Sequence, residues 1–275
     1  MTDPLIGVAE LATALAGPRP PVVLDVRWQL AGPPGRDEYV RGHIPGAVFA
    51  DLDTALADPP GSRGRHPLPS TDRFGEAMRR CGITRDSTVI VYDAATSMSA
   101  ARAWWLLRYF GHPSVAVLDG GIAAWVAAGH DLSSGVTVPA LGDFQPVAGA
   151  MGIVDAGGAA VLAASSVLID ARAAERYRGD VEPVDPVAGH IPGAISLPTA
   201  ENVGPDGAFL SATELRSRFM AAGVGEATRV GAYCGSGVTA AHEILALEIA
   251  GFSAALYPGS WSEWVTDPTR PVSRG

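Results

Sequence analysis

Cysteine is scarce in this chain of 275 residues: there are two, Cys81 and Cys234, and neither lies in a Cys-x-x-Cys pair. Such a pair of lone thiols cannot build a disulfide framework, and a reducing, cytoplasmic setting fits best. Positive charge is also short, with 20 Lys+Arg against 29 Asp+Glu, a net charge of -9 and a pI near 5.1. That balance argues against nucleic acid as a partner. No window approaches ~18 uncharged apolar residues, so no membrane span is expected. The opening residues lack a basic region and Glu10 interrupts their apolar stretch, so no signal peptide is read. His66, His112, His130 and His242 show no metal-ligand spacing, and neither a metal nor a cofactor is expected.

What the chain does have is a core supply and a repeat. Hydrophobic residues make up 47%, enough for one large domain or two ordinary ones. Val22-Val-Leu-Asp25-Val-Arg27 matches Val167-Leu-Ile-Asp170-Ala-Arg172. Gly42-His43-Ile-Pro-Gly-Ala-Val48 matches Gly189-His190-Ile-Pro-Gly-Ala-Ile195. Thr88-Val-Ile-Val-Tyr-Asp93 matches Arg229-Val-Gly-Ala-Tyr-Cys234, and Asp119-Gly-Gly-Ile-Ala-Ala-Trp125 matches Pro258-Gly-Ser-Trp-Ser-Glu-Trp264. The offsets are 145, 147, 141 and 139, in one order, so one domain is written twice.

Apolar runs at 21–27, 88–93 and 114–119 predict strands, and 71–80, 100–110 and 121–128 predict helices. The second copy repeats this with strands at 167–172, 229–234 and 254–257 and helices at 213–222 and 239–250. Short apolar strands alternating with helices imply an α/β fold, each copy a mainly parallel sheet flanked by helices. The expected domains are 1–132 and 151–275, joined by a Gly-, Pro- and Val-rich linker at 133–150. With two domains in one chain, a monomer is the default.

Cys234 is the most informative residue. It ends a strand, runs into Gly235-Ser236-Gly237-Val238-Thr239-Ala240 and then a helix. A strand, a tight glycine loop and a helix start place backbone N–H groups and a positive dipole end around the sulfur, which favours a thiolate nucleophile. The first copy holds Asp93 at that place, followed by Ser97 and Ser99, and reads as a degenerate site. Cys81, late in a helix before Gly82, reads as structural. His43 and His190 sit in matching Gly-His-Ile-Pro-Gly turns and read as ties within those turns. Arg172 has a counterpart in Arg27, which suggests a structural ion pair, while Arg176 faces Ala31 or a neighbour in the first copy. A guanidinium is the natural grip for a carboxylate or a sulfur oxyanion, so both arginines stay open as substrate ligands. Trp104, Trp105, Trp261 and Trp264 read as core.

These residues together resemble the rhodanese superfamily, in particular its two-domain sulfurtransferases, over nearly the whole chain. The resemblance implies an inactive first domain with Asp93 and an active second domain with Cys234. It implies that Cys-Gly-Ser-Gly-Val-Thr, the form of 234–239, marks a 3-mercaptopyruvate donor, whereas cationic loop residues mark thiosulfate. It implies Arg172 and Arg176 as substrate ligands and His43, with Asp37, as a relay to Ser236. The expected cycle passes a sulfane sulfur through a Cys234 persulfide to a small thiol, cyanide or a thioredoxin-like protein. Thiosulfate as main donor and a non-catalytic sulfur-carrier module stay as alternatives. A Cys-x5-Arg phosphatase does not fit, because Ala240 stands where its arginine belongs.

Overall fold

The computed structural model describes residues 3–30 and 32–275, so Ala31 lies outside the described residues. The chain divides into two compact units. Unit 1 comprises 1–58, 69–150 and 205–209; unit 2 comprises 59–68, 151–204 and 210–275.

In unit 1 the elements run β1 (Leu5–Ile6), α1 (Val8–Leu15), β2 (Val22–Asp25), α2 (Gly35–Arg41), β3 (Val48–Phe49), α3 (Leu52–Ala55), α4 (Thr71–Arg80), β4 (Val89–Tyr92), α5 (Met98–Tyr109), β5 (Val115–Leu118) and α6 (Gly121–Ala127). The five strands form one parallel sheet in the order β1-β5-β4-β2-β3. Side chains alternate across it. Val23, Ile90 and Leu118 meet Leu11 of α1 and Ile122 and Trp125 of α6 on one face. Leu24, Val89, Val91, Val115 and Val117 are buried as well, and α5 packs on β4 and β5. Both faces are therefore covered, which is why the strands read as unbroken apolar runs.

Unit 2 repeats the plan with α7 (Ala156–Ser165), β6 (Val167–Asp170), α8 (Ala174–Arg178), β7 (Ile195–Ser196), a 3-10 turn (Thr199–Asn202), α9 (Ala212–Ala221), β8 (Val230–Tyr233), α10 (Thr239–Ile249), β9 (Ala255–Leu256) and α11 (Ser260–Trp264). Its sheet is parallel, in the order β7-β6-β8-β9. Leu162 of α7 and Trp261 and Trp264 of α11 cover one face, and all four tryptophans named above are buried.

Residues 133–150 are not a free linker. His43 and Ser133 exchange backbone hydrogen bonds, Gly135 N–H donates to Val40 O, and Val147 N–H donates to Phe110 O. Phe144 is buried against Phe74. Backbone hydrogen bonds and the buried Phe144 strap the segment along unit 1, while Val136, Val138, Leu141 and Val147 stay exposed. Residues 59–68, inside the expected first domain, belong to unit 2.

Both copies carry the same internal clip. Arg27 donates to Asp25 and, from Nη2 at 2.6 Å, to Gly42 O, while Tyr92 OH donates to Asp25 at 2.7 Å. Arg172 donates to Asp170 and Gly189 O at 2.6 Å, and Tyr233 OH donates to Asp170 at 2.6 Å. Burial opposes the Arg172 charge, but Asp170 outweighs it and lifts the guanidinium pKa above its ordinary value.

Candidate active site

β8 carries Tyr233 and then Cys234 to the C-terminal edge of its parallel sheet, and α10 begins at Thr239. The loop between them is pinned from below. Cys234 N–H donates to Ser260 Oγ at 3.1 Å, and that hydroxyl donates to Tyr257 O at 2.9 Å. Trp261 N–H donates to Cys234 O and Ser262 N–H to Gly235 O, both at 2.9 Å. Gly237 adopts φ +79°, and a Cβ there would lie 2.4 Å from Pro258 O, so the position requires glycine. This turn aims Gly237 N–H at the Cys234 sulfur, 3.1 Å away. Cys234 and Val238 are buried, as is Ser236.

Ser236 Oγ is hydrogen-bonded to Nδ1 of His66 at 2.7 Å. His43, expected as a tie within its turn or as a relay with Asp37, is engaged within its own turn. The His43 ring nitrogens face Tyr39 O at 2.9 Å and Thr137 Oγ1 at 3.4 Å, and the ring stacks on Tyr39. Asp37 is exposed on α2. His66 arrives because Gly64 lets the 59–68 segment lie flat on 259–262. With φ +98°, a Cβ at Gly64 would stand 2.7 Å from Gly259 O, and Arg65 N–H donates to Ser262 Oγ at 3.0 Å. No motif marks His66 in sequence, since 170 residues separate it from Ser236.

Arg172, open as a structural ion pair or a substrate ligand, is engaged in the ion pair. Asp170, Gly189 O and Glu182 consume its donors, its guanidinium stacks on Trp261, and its side chain is 1% exposed. Arg176 is better placed. Its Nε and Nη2 bind Glu182, Nη2 also reaches Asp185 at 3.2 Å, and the side chain is 18% exposed. Burial would raise the Glu182 carboxyl, but Arg176 and the N–H groups of Asp185 and Val184 hold it below its ordinary range. A Cβ built on Gly235 would lie 3.5 Å from Arg176 Nη1 and 3.0 Å from Arg65 Nη2. Arg65, unremarkable in sequence, thus stands beside the residue that follows the cysteine. Among the described residues, no group of three or more His, Cys, Asp or Glu is placed to hold a metal.

The first copy shows how this turn treats an anion. Asp93 Oδ1 accepts from the N–H groups of Ala95 and Ser97, at 3.2 and 3.0 Å. Its Oδ2 accepts from Ser99 N–H at 2.9 Å, Ser99 Oγ at 3.3 Å and Ala100 N–H at 3.2 Å. Burial pushes the carboxyl pKa above its ordinary value, and these donors offset only part of that rise. Both oxygens face only donors, the pattern of a carboxylate.

A model of the rhodanese-like domain matches residues 8–128 and again 158–267. The chain belongs to the rhodanese family. A Mycobacterium tuberculosis protein named "Putative thiosulfate sulfurtransferase SseB" is 47% identical over 98% of this chain and 97% of its own length. The Escherichia coli 3-mercaptopyruvate sulfurtransferase is 38% identical over 91% of each, and the human one 35% over 94% of this chain and 91% of that protein. The crystal structure of SseA from Escherichia coli superimposes with a TM-score of 0.83 at 35% identity, covering 95% of this chain and all of that one. This rhodanese-family chain is a sulfurtransferase. Two rhodanese domains, each a parallel sheet flanked by helices, agree with the fold expected from the repeat.

Proposed function

We propose that the chain transfers the sulfur of 3-mercaptopyruvate through a persulfide on Cys234. The observation that carries this is the N–H of Gly237 on the Cys234 sulfur, at the start of α10 and beside Ser236 and His66. The Cys234 thiolate attacks the donor sulfur. An S–S bond forms and the C–S bond breaks, its electron pair passing to the methylene carbon as the enolate of pyruvate. The donor's thiol proton is released to the enolate, leaving Cys–S–S⁻ and pyruvate. Ser236, held by His66, is placed to hydrogen-bond or protonate that leaving group.

The Asp93 loop supports the persulfide step by internal analogy. A carboxylate oxygen and the outer sulfur of a cysteine persulfide both stand two bonds beyond Cβ. The backbone around Asp93 already closes on an anion at that distance. Gly235, Ser236, Gly237, Val238 and Thr239 would do the same for the persulfide, aided by the helix dipole. The outer sulfur then leaves to cyanide, a small thiol or a reduced thioredoxin-like protein. A monomer in the cytoplasm remains part of this proposal; no helix of the described residues is long and apolar enough to cross a membrane.

Steady-state transfer to cyanide tests it, with 3-mercaptopyruvate and thiosulfate side by side. Cys234→Ser should abolish turnover with the fold intact, and Ser236→Ala should lower kcat about 10²-fold. Retained turnover in Cys234→Ser would sink the proposal. The name of the Mycobacterium tuberculosis relative favours thiosulfate as the second reading, and a higher kcat/KM for thiosulfate would select it.

A further inference from the structure

The two guanidinium groups beside Gly235 are bridged by a carboxylate of the protein itself. Asp185 Oδ2 accepts from Arg176 Nη2 at 3.2 Å and from Arg65 Nη2 at 3.4 Å, and Oδ1 pairs with Arg65 Nη1. The Asp185 side chain is 3% exposed, while Arg65 and Arg176 keep 25% and 18%. The carboxylate is the buried member, and the cations reach the open side. Arg65 Nε is buried and has no hydrogen-bond partner. Arg176 spends Nε and Nη2 on Glu182 and Asp185 and turns Nη1 toward Gly235. Arg65 Nη2 and Arg176 Nη1 thus stand beside the residue that follows Cys234, on side chains that keep some exposure.

The charges in this cluster cancel. Arg65, Arg172 and Arg176 face Asp170, Glu182 and Asp185, three against three. We propose that Arg65 and Arg176 form a two-armed clamp for the donor's carboxylate, and that Asp185, by neutralising it, selects a singly charged carboxylate donor over dianionic thiosulfate. A planar carboxylate matches the fork of a guanidinium, and one negative charge can share the arms with Asp185. A dianion brings twice the charge into a rim with no net positive charge to receive it, at the cost of its own hydration. The chain contains no lysine, so no flexible ammonium can substitute for either arm. This inference rests on Cys234 being the sulfur carrier.

The test compares kcat/KM for 3-mercaptopyruvate and thiosulfate, cyanide as acceptor, in the full-length protein and three variants, with thermal melts as a fold control. Arg65→Gln should raise KM for 3-mercaptopyruvate about 10-fold and change kcat far less, because a charge-assisted contact to the bound donor is lost. Asp185→Asn leaves one uncompensated positive charge and should shift the donor ratio toward thiosulfate about 10-fold. The double variant Arg65→Gln/Asp185→Asn is neutral again, so its donor ratio should return toward that of the unmodified protein. An unchanged ratio in Asp185→Asn, an unchanged KM in Arg65→Gln, or a double variant that keeps the shifted ratio would each overturn the proposal. Should Asp185→Asn not fold, Arg65→Gln and the double variant decide it alone. Mass spectrometry separates the two levels of failure. No persulfide on Cys234 with either donor removes the functional reading itself, whereas a normal persulfide with an insensitive donor ratio removes only the clamp.

Discussion

Ser260 is one of two non-glycine residues with positive φ among the described residues, at +54°, where the first copy places Gly121 at +58°. A side chain in that region costs roughly 1–2 kcal/mol. The hydroxyl offsets it by joining Cys234 N–H to Tyr257 O. Ser260→Ala should therefore lose the bonds and keep the strain, whereas Ser260→Gly loses the bonds and relieves it. Urea denaturation should rank the glycine variant about 1 kcal/mol above the alanine variant, with sulfur transfer reduced in both. Equal stabilities would refute the strain argument. The two thiols should also differ. Burial pushes the Cys81 thiol up to about 11, so near neutral pH it stays protonated at the end of α4. Peptide mapping after iodoacetamide treatment should find label on Cys234 and none on Cys81; the reverse pattern would contradict the assignment of the nucleophile. Cys234 announced itself in sequence because its loop needs Gly237. His66 and Arg65 did not, because what brings them to the site is the backbone freedom of Gly64, a neighbour with no chemistry of its own.

Helices α5 and α10 start from the same loop under opposite terms. In α5 the first turn is tied to the carboxyl oxygens of Asp93, which accept from its N–H groups. Asp93→Asn would turn an amide NH₂ against N–H donors and should cost about 1–3 kcal/mol, read from chemical denaturation. In α10 the buried acid is further along. Glu243 Oε2 accepts from Asn202 at 2.7 Å, Oε1 has no partner, and burial lifts the carboxyl from 4.5 to about 7. The folded state thus favours the neutral form. Its contribution is complete below about pH 4.5 and is lost as pH rises toward 7. Glu243→Gln, neutral throughout, should flatten the fall in melting temperature across that interval, and an unchanged profile would count against the assignment. The four-residue strands and α4, α5, α6, α9 and α10 were legible because both faces of a parallel sheet are apolar and α4 carries a Ser70 cap, whereas α1 and the Ala- and Gly-rich α7 were not read. The two-residue strands β3 and β7 and the five-residue α8 were not, since each is too short to repeat its period twice. Composition did not show that 133–150 runs along unit 1, since glycines and prolines suit a strap as well as an open connection.

The same logic applies to the whole molecule. Repeat spacing revealed two copies, yet the compact units exchange short segments with respect to that order, 59–68 going to unit 2 and 205–209 to unit 1. Gly207 shows the second of these: at φ +81° a Cβ would lie 2.8 Å from Ala95 O. A fragment of residues 151–275 would contain Cys234 and its loop but neither Arg65 nor His66. Its transfer rate should fall about 10²-fold or more below that of the full chain for want of the Ser236–His66 pair, and a fragment as active as the parent would show that pair to be idle. Seen as inheritance, the copy that carries Asp93 in place of a cysteine is not a spare. A duplicated gene half without the cysteine would ordinarily be free to be deleted, but here ten codons inside it spell a segment of the other unit, 59–68, and on the proposed function part of its site, so the two halves would have to be kept, moved and varied together.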